Sequence, residues 1–254
     1  MKTRTILAMI FVIASVSVSS LAHTVYLDIQ KDRLISQQIA HIRFHSYDAK
    51  ITDEGKAHNL DNYGKWHLSK NATNLSVRVH ERNRINEIKL PEKVSQRFLA
   101  LFKESPTKTQ CGRDFDCTCF AHYAHGIDPK EVFDKLRGLF FDPTAERRVL
   151  EEYWQIEAFW EGDLQPSDVV KLSAGMDLHF AIYLSPGVYI SKFGEGAVYA
   201  TDLGEMERVY PFRHKQIWRP VDKRSCGEQF FTDPIKVTLG ACFVAACALT
   251  YFFL

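Results

Sequence analysis

Two uncharged apolar runs bracket this chain of 254 residues, and they decide in which compartment everything between them folds. The first, residues 6–18, follows Lys2 and Arg4 and leads into Ser20-Leu21-Ala22. Positive, apolar and small-residue zones in that order are the pattern of a secretory signal. Cleavage after Ala22 makes residues 1–22 a signal peptide and His23 the first residue of the mature chain. The run is too short to cross a bilayer as a helix, which takes about 20 apolar residues. The second run, residues 237–254, has eighteen positions without a charge. At helical rise that is about 27 Å, close to the hydrocarbon thickness. It has no polar face with which to meet water, so a membrane anchor over residues 235–254 is expected. Lys223, Arg224 and Lys236 lie on the side that export places outside, against the positive-inside tendency. The signal peptide is expected to dominate. A lipid-anchor signal is the competing reading of the tail, since Ser225-Cys226-Gly227 are small, but Phe230-Phe231 interrupt the polar spacer such a signal needs.

Export permits disulfides. Four cysteines lie outside the tail, Cys111, Cys117, Cys119 and Cys226. If one is a working thiol, at most one bridge forms, and Cys111 with Cys226 is the preferred pair. Asn71-Ala72-Thr73 and Asn74-Leu75-Ser76 are glycosylation sequons, meaningful in a host that glycosylates exported proteins. With 46% hydrophobic residues the chain can bury one sizeable core. Its 32 basic and 31 acidic residues nearly cancel, and no basic stripe with interleaved aromatics appears, so nucleic acid is excluded as a partner.

From residue 23 to about 90 the pattern is extended. His41-Ile42-Arg43-Phe44-His45 and Ser76-Val77-Arg78-Val79-His80 alternate polar and apolar as half-buried strands do, which predicts a small β-rich N-terminal region. Helical period then takes over near residues 93–102 and again around Cys117. Asp128-Pro129 and Asp142-Pro143 each supply an N-cap carboxylate followed by proline at the first helical position. The second of these helices is expected to run through Tyr153 and Trp154 to Gly162. Strand signals return at residues 169–172, 179–184, 188–192 and 198–200, separated by Pro- and Gly-bearing turns. Helices followed by a meander argue an α+β fold, helices packed on one face of an antiparallel sheet, over residues 91–234.

Within that region Asp116-Cys117-Thr118-Cys119-Phe120-Ala121-His122-Tyr123 sets a cysteine at the opening of a helix. Unpaired N–H groups and the positive end of the helix dipole favour thiolate there, and the same amides can donate to an oxyanion. Sixty-two residues on, His179 opens a strand whose Phe180, Ile182 and Leu184 form one apolar face, with His179 on the other. Asp-Cys-x-x-Phe-x-x-Tyr followed by His-x-x-Ile-Tyr-x-x-x-Gly resembles the NlpC/P60 cysteine peptidase and amidase pattern over residues 111–210. That resemblance implies a papain-like fold, Cys117 as nucleophile and His179 as base, with no cofactor or metal. The family's Gly-Asp pair is matched only as Ser167-Asp168. The family's third residue, twelve positions after the histidine, falls on Ser191, a weaker orienter than the His, Asn or acidic residue common there. A three-residue hairpin loop of Ser185, Pro186 and Gly187 sets Ser191 diagonal to His179, whereas a two-residue loop brings Lys192 there instead.

The resemblance implies cleavage of an amide bond in a cell-wall peptide or related isopeptide substrate through a thioester at Cys117, beside a membrane. A lipid acyltransferase or phospholipase resembling the lecithin:retinol acyltransferase group is the first rival, and chain order argues against it, because that group places histidine before cysteine. A non-catalytic binding module is the second, favoured by Ser191 and Ser167. Cys117, Cys119, His122 and His125 look at first like zinc ligands, but on one helix they spread around the axis. Cys119 reads as a structural thiol.

Overall fold

The computed structural model describes residues 23–39, 41–62, 68–104, 115–139, 142–174, 177–194 and 196–221. The expected signal peptide, Cys111, Cys226 and the expected anchor segment lie outside the described residues. Among the described residues no helix is long and apolar enough to cross a membrane.

Strand dominates: 47% of the described residues are strand and 28% helix, in two sheets. The expectation of an α+β fold, papain-like, with helices laid on one antiparallel sheet and a small β-rich appendage, is therefore corrected. The appendage is a five-stranded sheet beside a six-stranded one, and its strands are the longer. Its five strands are β1 (His23–Ile39), β2 (Ile42–Asp53), β3 (Lys56–Asn59), β4 (Ala72–Glu81) and β5 (Arg84–Ile88), in the order β3-β2-β1-β4-β5. β1 is antiparallel to β2 and parallel to β4. The reason is legible in β1, where Val25, Leu27 and Ile29 alternate as buried residues with half-exposed ones. They share one buried cluster with Val77 and Val79 of β4, with Phe98 and Phe102 of α1 (Glu92–Glu104), and with Cys119 and Phe120 of α2 (Cys117–Ala124). A strand pair with that much apolar surface cannot stay solvated, so it completes the core beneath the cysteine helix.

The second sheet has the order β10-β9-β8-β7-β11-β6. Its strands are β6 (Trp154–Ala158), β7 (Val169–Ala174), β8 (Asp177–Ser185), β9 (Val188–Lys192), β10 (Val198–Thr201) and β11 (His214–Pro220). The pairs β7–β8, β8–β9, β9–β10 and β7–β11 are antiparallel. Alternation along β8 divides two cores: Phe180, Ile182 and Leu184 join the cluster beneath α2, while Ala181 and Tyr183 join a second cluster with Phe193, Met206 and Ile217. Asp128 and Asp142 cap α3 (Pro129–Leu136) and α4 (Pro143–Glu151), each accepting from backbone N–H groups of the first turn. α4 stops at Glu151 and does not reach Gly162. Trp154 and its neighbours are taken as an edge strand, where Trp154 packs against Trp218 with ring centroids 5.8 Å apart. α5 (Leu203–Val209) follows β10. The compact unit holding both sheets ends at Arg219; of the second unit, which begins at Pro220, only Pro220 and Val221 are described.

Candidate functional site

α2 begins at Cys117 because Asp116 is its N-cap, in extended conformation, with Oδ1 accepting from Thr118 N at 2.9 Å and Cys119 N at 3.0 Å. The first amides of the helix are thus shared with a carboxylate, although Thr118 also hydrogen-bonds the Cys117 sulfur through backbone and side chain and opposes the upward shift. Burial, and the Asp116 charge after it, push the Cys117 thiol up to about 11. The sequence argument from the helix dipole pointed the other way. It missed that the residue starting the helix brings its own anion to the helix end.

His179 stands on β8, and the hairpin to β9 decides what meets it. The strands pair Ser185 with Val188, leaving the two-residue turn Pro186-Gly187, in which Gly187 has φ +68°, a left-handed conformation that suits glycine. A bulge between Tyr183 and Ser185 then shifts the register, so that Tyr183 faces Tyr189 and Ile182 faces Ile190. A two-residue loop plus one extra residue gives the pairing of a three-residue loop. Ser191 is accordingly the residue that reaches the ring, with Oγ 2.7 Å from His179 Nε2. Lys192 instead donates through Nζ to Gly196 O.

The Ser191 hydroxyl also donates to Phe180 O at 2.7 Å. A hydroxyl has one proton, so toward the ring Oγ accepts, and the ring proton belongs on Nε2. Nδ1 keeps the lone pair a general base needs. Ser191 and His179 are fully buried, and desolvation lowers His179 to about 3. Over the ring lie Tyr210, stacked at 4.7 Å between centroids, Phe193 at 4.9 Å and Phe212 at 6.1 Å. These aromatics come from the end of β9 and from the loop after α5. They carry no periodic sequence signal that would have marked them as part of the site.

Sulfur and ring stand on the two faces of β8: Cys117 shares a buried cluster with Phe180, Ile182 and Leu184, whereas His179 alternates with them. Alternation turns His179 toward the face opposite α2, and the Cys117 thiol hydrogen-bonds the β8 backbone on either side of it, Leu178 O at 4.0 Å and the backbone of Phe180, rather than the imidazole. Tyr210, which stacks on the ring, is raised by burial and by the Cys117 charge, so one tyrosine lies near both groups. With the thiol near 11 and the ring near 3, proton transfer between them in this closed arrangement is unfavourable by on the order of 10 kcal/mol. On its other side Cys117 lines a groove of about 760 Å³ with Leu178, Phe180, Lys171 and Trp218.

The neighbouring histidines are committed elsewhere. His122 holds Thr118 O through Nδ1 at 2.8 Å and receives the Trp154 indole N–H on Nε2 at 3.2 Å. His125 lies between Ala121 O and Ser167 O, 2.8 Å from each. With their ring nitrogens so occupied, His122 and His125 do not converge with Cys117 and Cys119. Cys119 is fully buried in the core beneath the first sheet. Ser167 has φ +83°, a left-handed conformation in which glycine is at ease. Asp168 beside it takes a bidentate pair from Arg219 and the Gln165 N–H.

Compared with protein-family models, with curated proteins and with solved structures, the chain has no significant match.

Proposed function

We propose that this chain is an exported, membrane-tethered cysteine hydrolase whose catalytic chemistry is related to that of NlpC/P60 enzymes, cleaving an amide bond in a cell-wall peptide or related isopeptide. Cys117 attacks the carbonyl, His179 Nδ1 takes the thiol proton and returns it to the leaving amine, and water then releases the acyl group from the thioester. Ser191 holds the imidazole in the tautomer that this needs. The carrying observation is the chain His179 Nε2–H to Ser191 Oγ to Phe180 O, which leaves Nδ1 unprotonated on the strand whose backbone binds the Cys117 sulfur. The closed state has a neutral thiol and a neutral ring, so turnover requires the aromatic cover of Tyr210 and Phe212 to move and admit water or substrate.

One observation favours a second reading, a binding module without catalysis: the thiol makes its hydrogen bonds to the β8 backbone and to Thr118 rather than to the ring. Incubating the purified chain with peptidoglycan and, separately, with phospholipid vesicles, alongside Cys117→Ala, decides by product mass. New amide-cleaved fragments that depend on Cys117 support the hydrolase. Fatty-acyl release selects the lipid-directed rival, and unchanged substrates in both arms with retained peptidoglycan binding select the binding module.

A further inference from the structure

We propose that His23, Asp53 and Glu54, at the start of the first sheet and remote in sequence from the thiol site, form a binding site for one zinc ion. The imidazole and the two carboxylates each offer a ligand atom, and these atoms lie within 4.8 Å of one another. His23 Nε2 is 2.5 Å from Asp53 Oδ1. That contact alone is an ordinary ion pair. Three further features go beyond it. Asp53 is 6% exposed, and its second oxygen is held by the Ser69 N–H, so the carboxylate is aimed by a backbone donor in the way that outer hydrogen bonds orient metal ligands. Glu54 brings a second carboxylate to the same spot and makes no ion pair among the described residues that would offset the repulsion. It does so from the first position of the two-residue turn between β2 and β3, with φ +48° at Glu54 and +79° at Gly55. Asn, Asp or Gly is usual at that position, and Glu there carries backbone strain.

One imidazole nitrogen with two carboxylate oxygens suits zinc better than calcium or magnesium, which prefer all-oxygen shells. At bond lengths of about 2.0–2.1 Å and a tetrahedral angle, the nitrogen and the Asp53 oxygen must stand about 3.3 Å apart. The His23 ring is partly exposed and Glu54 is exposed, so a swing of under ~1 Å makes room for the ion, and water fills the fourth position. The strand order explains the convergence. β1 lies between β2 and β4, so its first residue is next to the end of β2 and to the turn carrying Ser69.

The test is zinc titration of the purified, chelator-treated chain by calorimetry, with the coordination shell read by X-ray absorption. One zinc per chain in a nitrogen and oxygen shell is expected, with affinity lowered at least ~10-fold in His23→Gln and in Glu54→Gln. Because Asp53 also anchors Ser69, the exposed Glu54→Gln variant keeps the test independent of folding. Cys117→Ala is expected to bind zinc normally, which separates this site from the hydrolase reading. No saturable uptake, sulfur in the shell, or unchanged affinity in both variants overturns the proposal.

Discussion

Replacing Ser191 by alanine removes one oxygen and breaks two hydrogen bonds of 2.7 Å, one to His179 Nε2 and one to Phe180 O. Both partners are then left in a site where Ser191 is 0% and His179 1% exposed, so water does not take over the bonds. An orphaned buried polar group costs about 1–3 kcal/mol. Two of them give an expected loss of about 2–6 kcal/mol, well outside the ±0.5 kcal/mol of an ordinary surface change. For an m-value near the upper end of the usual range, about 3 kcal/mol/M, the urea midpoint falls by roughly 0.7–2 M with the slope unchanged. Tryptophan fluorescence reports it, since Trp154 and Trp218 are both buried. The same variant frees the imidazole to place its proton on either nitrogen, and under the proposed function hydrolysis drops with it. A Ser191→Ala protein that loses less than about 0.5 kcal/mol would falsify the claim that this hydroxyl fixes the tautomer, because the ring must then have another partner.

Three further outcomes follow from the same geometry. His179 is held near 3 by burial, whereas an unfolded histidine titrates near 6.5, so the unfolded chain alone takes up a proton between those values. Stability is therefore fully present above about pH 6.5 and declines by several kcal/mol toward pH 3; His125, also lowered by burial, adds to the slope. A urea midpoint that stays flat from pH 6.5 to 4 contradicts a neutral buried ring. Alkylation of Cys117, followed by peptide mass, is expected to rise about tenfold per pH unit from pH 7.5 to 10.5, with its thiol near 11. A plateau near pH 8.5 in the unaltered chain argues for an exposed thiol instead, and Tyr210→Ala, which admits water to the His179 face of β8, is expected to raise the ring from about 3 toward its ordinary value, read by histidine NMR titration. Ser167→Gly relieves a positive φ and is expected to stabilise by about 0.5–1 kcal/mol, the relief exceeding the entropy glycine adds to the unfolded chain; a loss of stability points to an unrecognised role for the hydroxyl.

What could be read from the sequence was local. Asp116, Asp128 and Asp142 mark helix starts because a cap acts within one turn, and β8 and β9 declare themselves by alternation around Pro186-Gly187. The choice between Ser191 and Lys192 was open because it depends on a bulge, one extra residue that no alternation pattern reveals. The extent of α4 was misjudged because Tyr153 and Trp154 continue its apolar spacing equally well as helix or strand. The free edge of β11 and contact with Trp218 tip that balance, and neither is local. The size of the first sheet was underestimated for the same reason: Val25, Leu27 and Ile29 bury against partners fifty to ninety residues away.

The local and the long-range features meet at Asp116 and conflict there. A capping carboxylate is worth about 1 kcal/mol to the helix, but it stands beside the sulfur and opposes its ionisation. The same charge favours protonation of His179, too weakly to offset desolvation. The electrostatics nearest the thiol therefore cannot by themselves prepare an ion pair, and water content becomes the variable that matters. Desolvation is the largest cause of both shifts, upward for sulfur and downward for imidazole, so admitting water moves the two values toward each other at once. The groove reaches Cys117 from the side of α3 and α4, while the aromatic cover lies over His179 on the other face. A substrate entering by the groove meets the sulfur while the ring is still covered. In the proposed hydrolase, displacing Tyr210 is then the step that couples the two, which is why the Tyr210 substitution, rather than one at Asp116, separates a latent hydrolase from a fold that merely retains its residues.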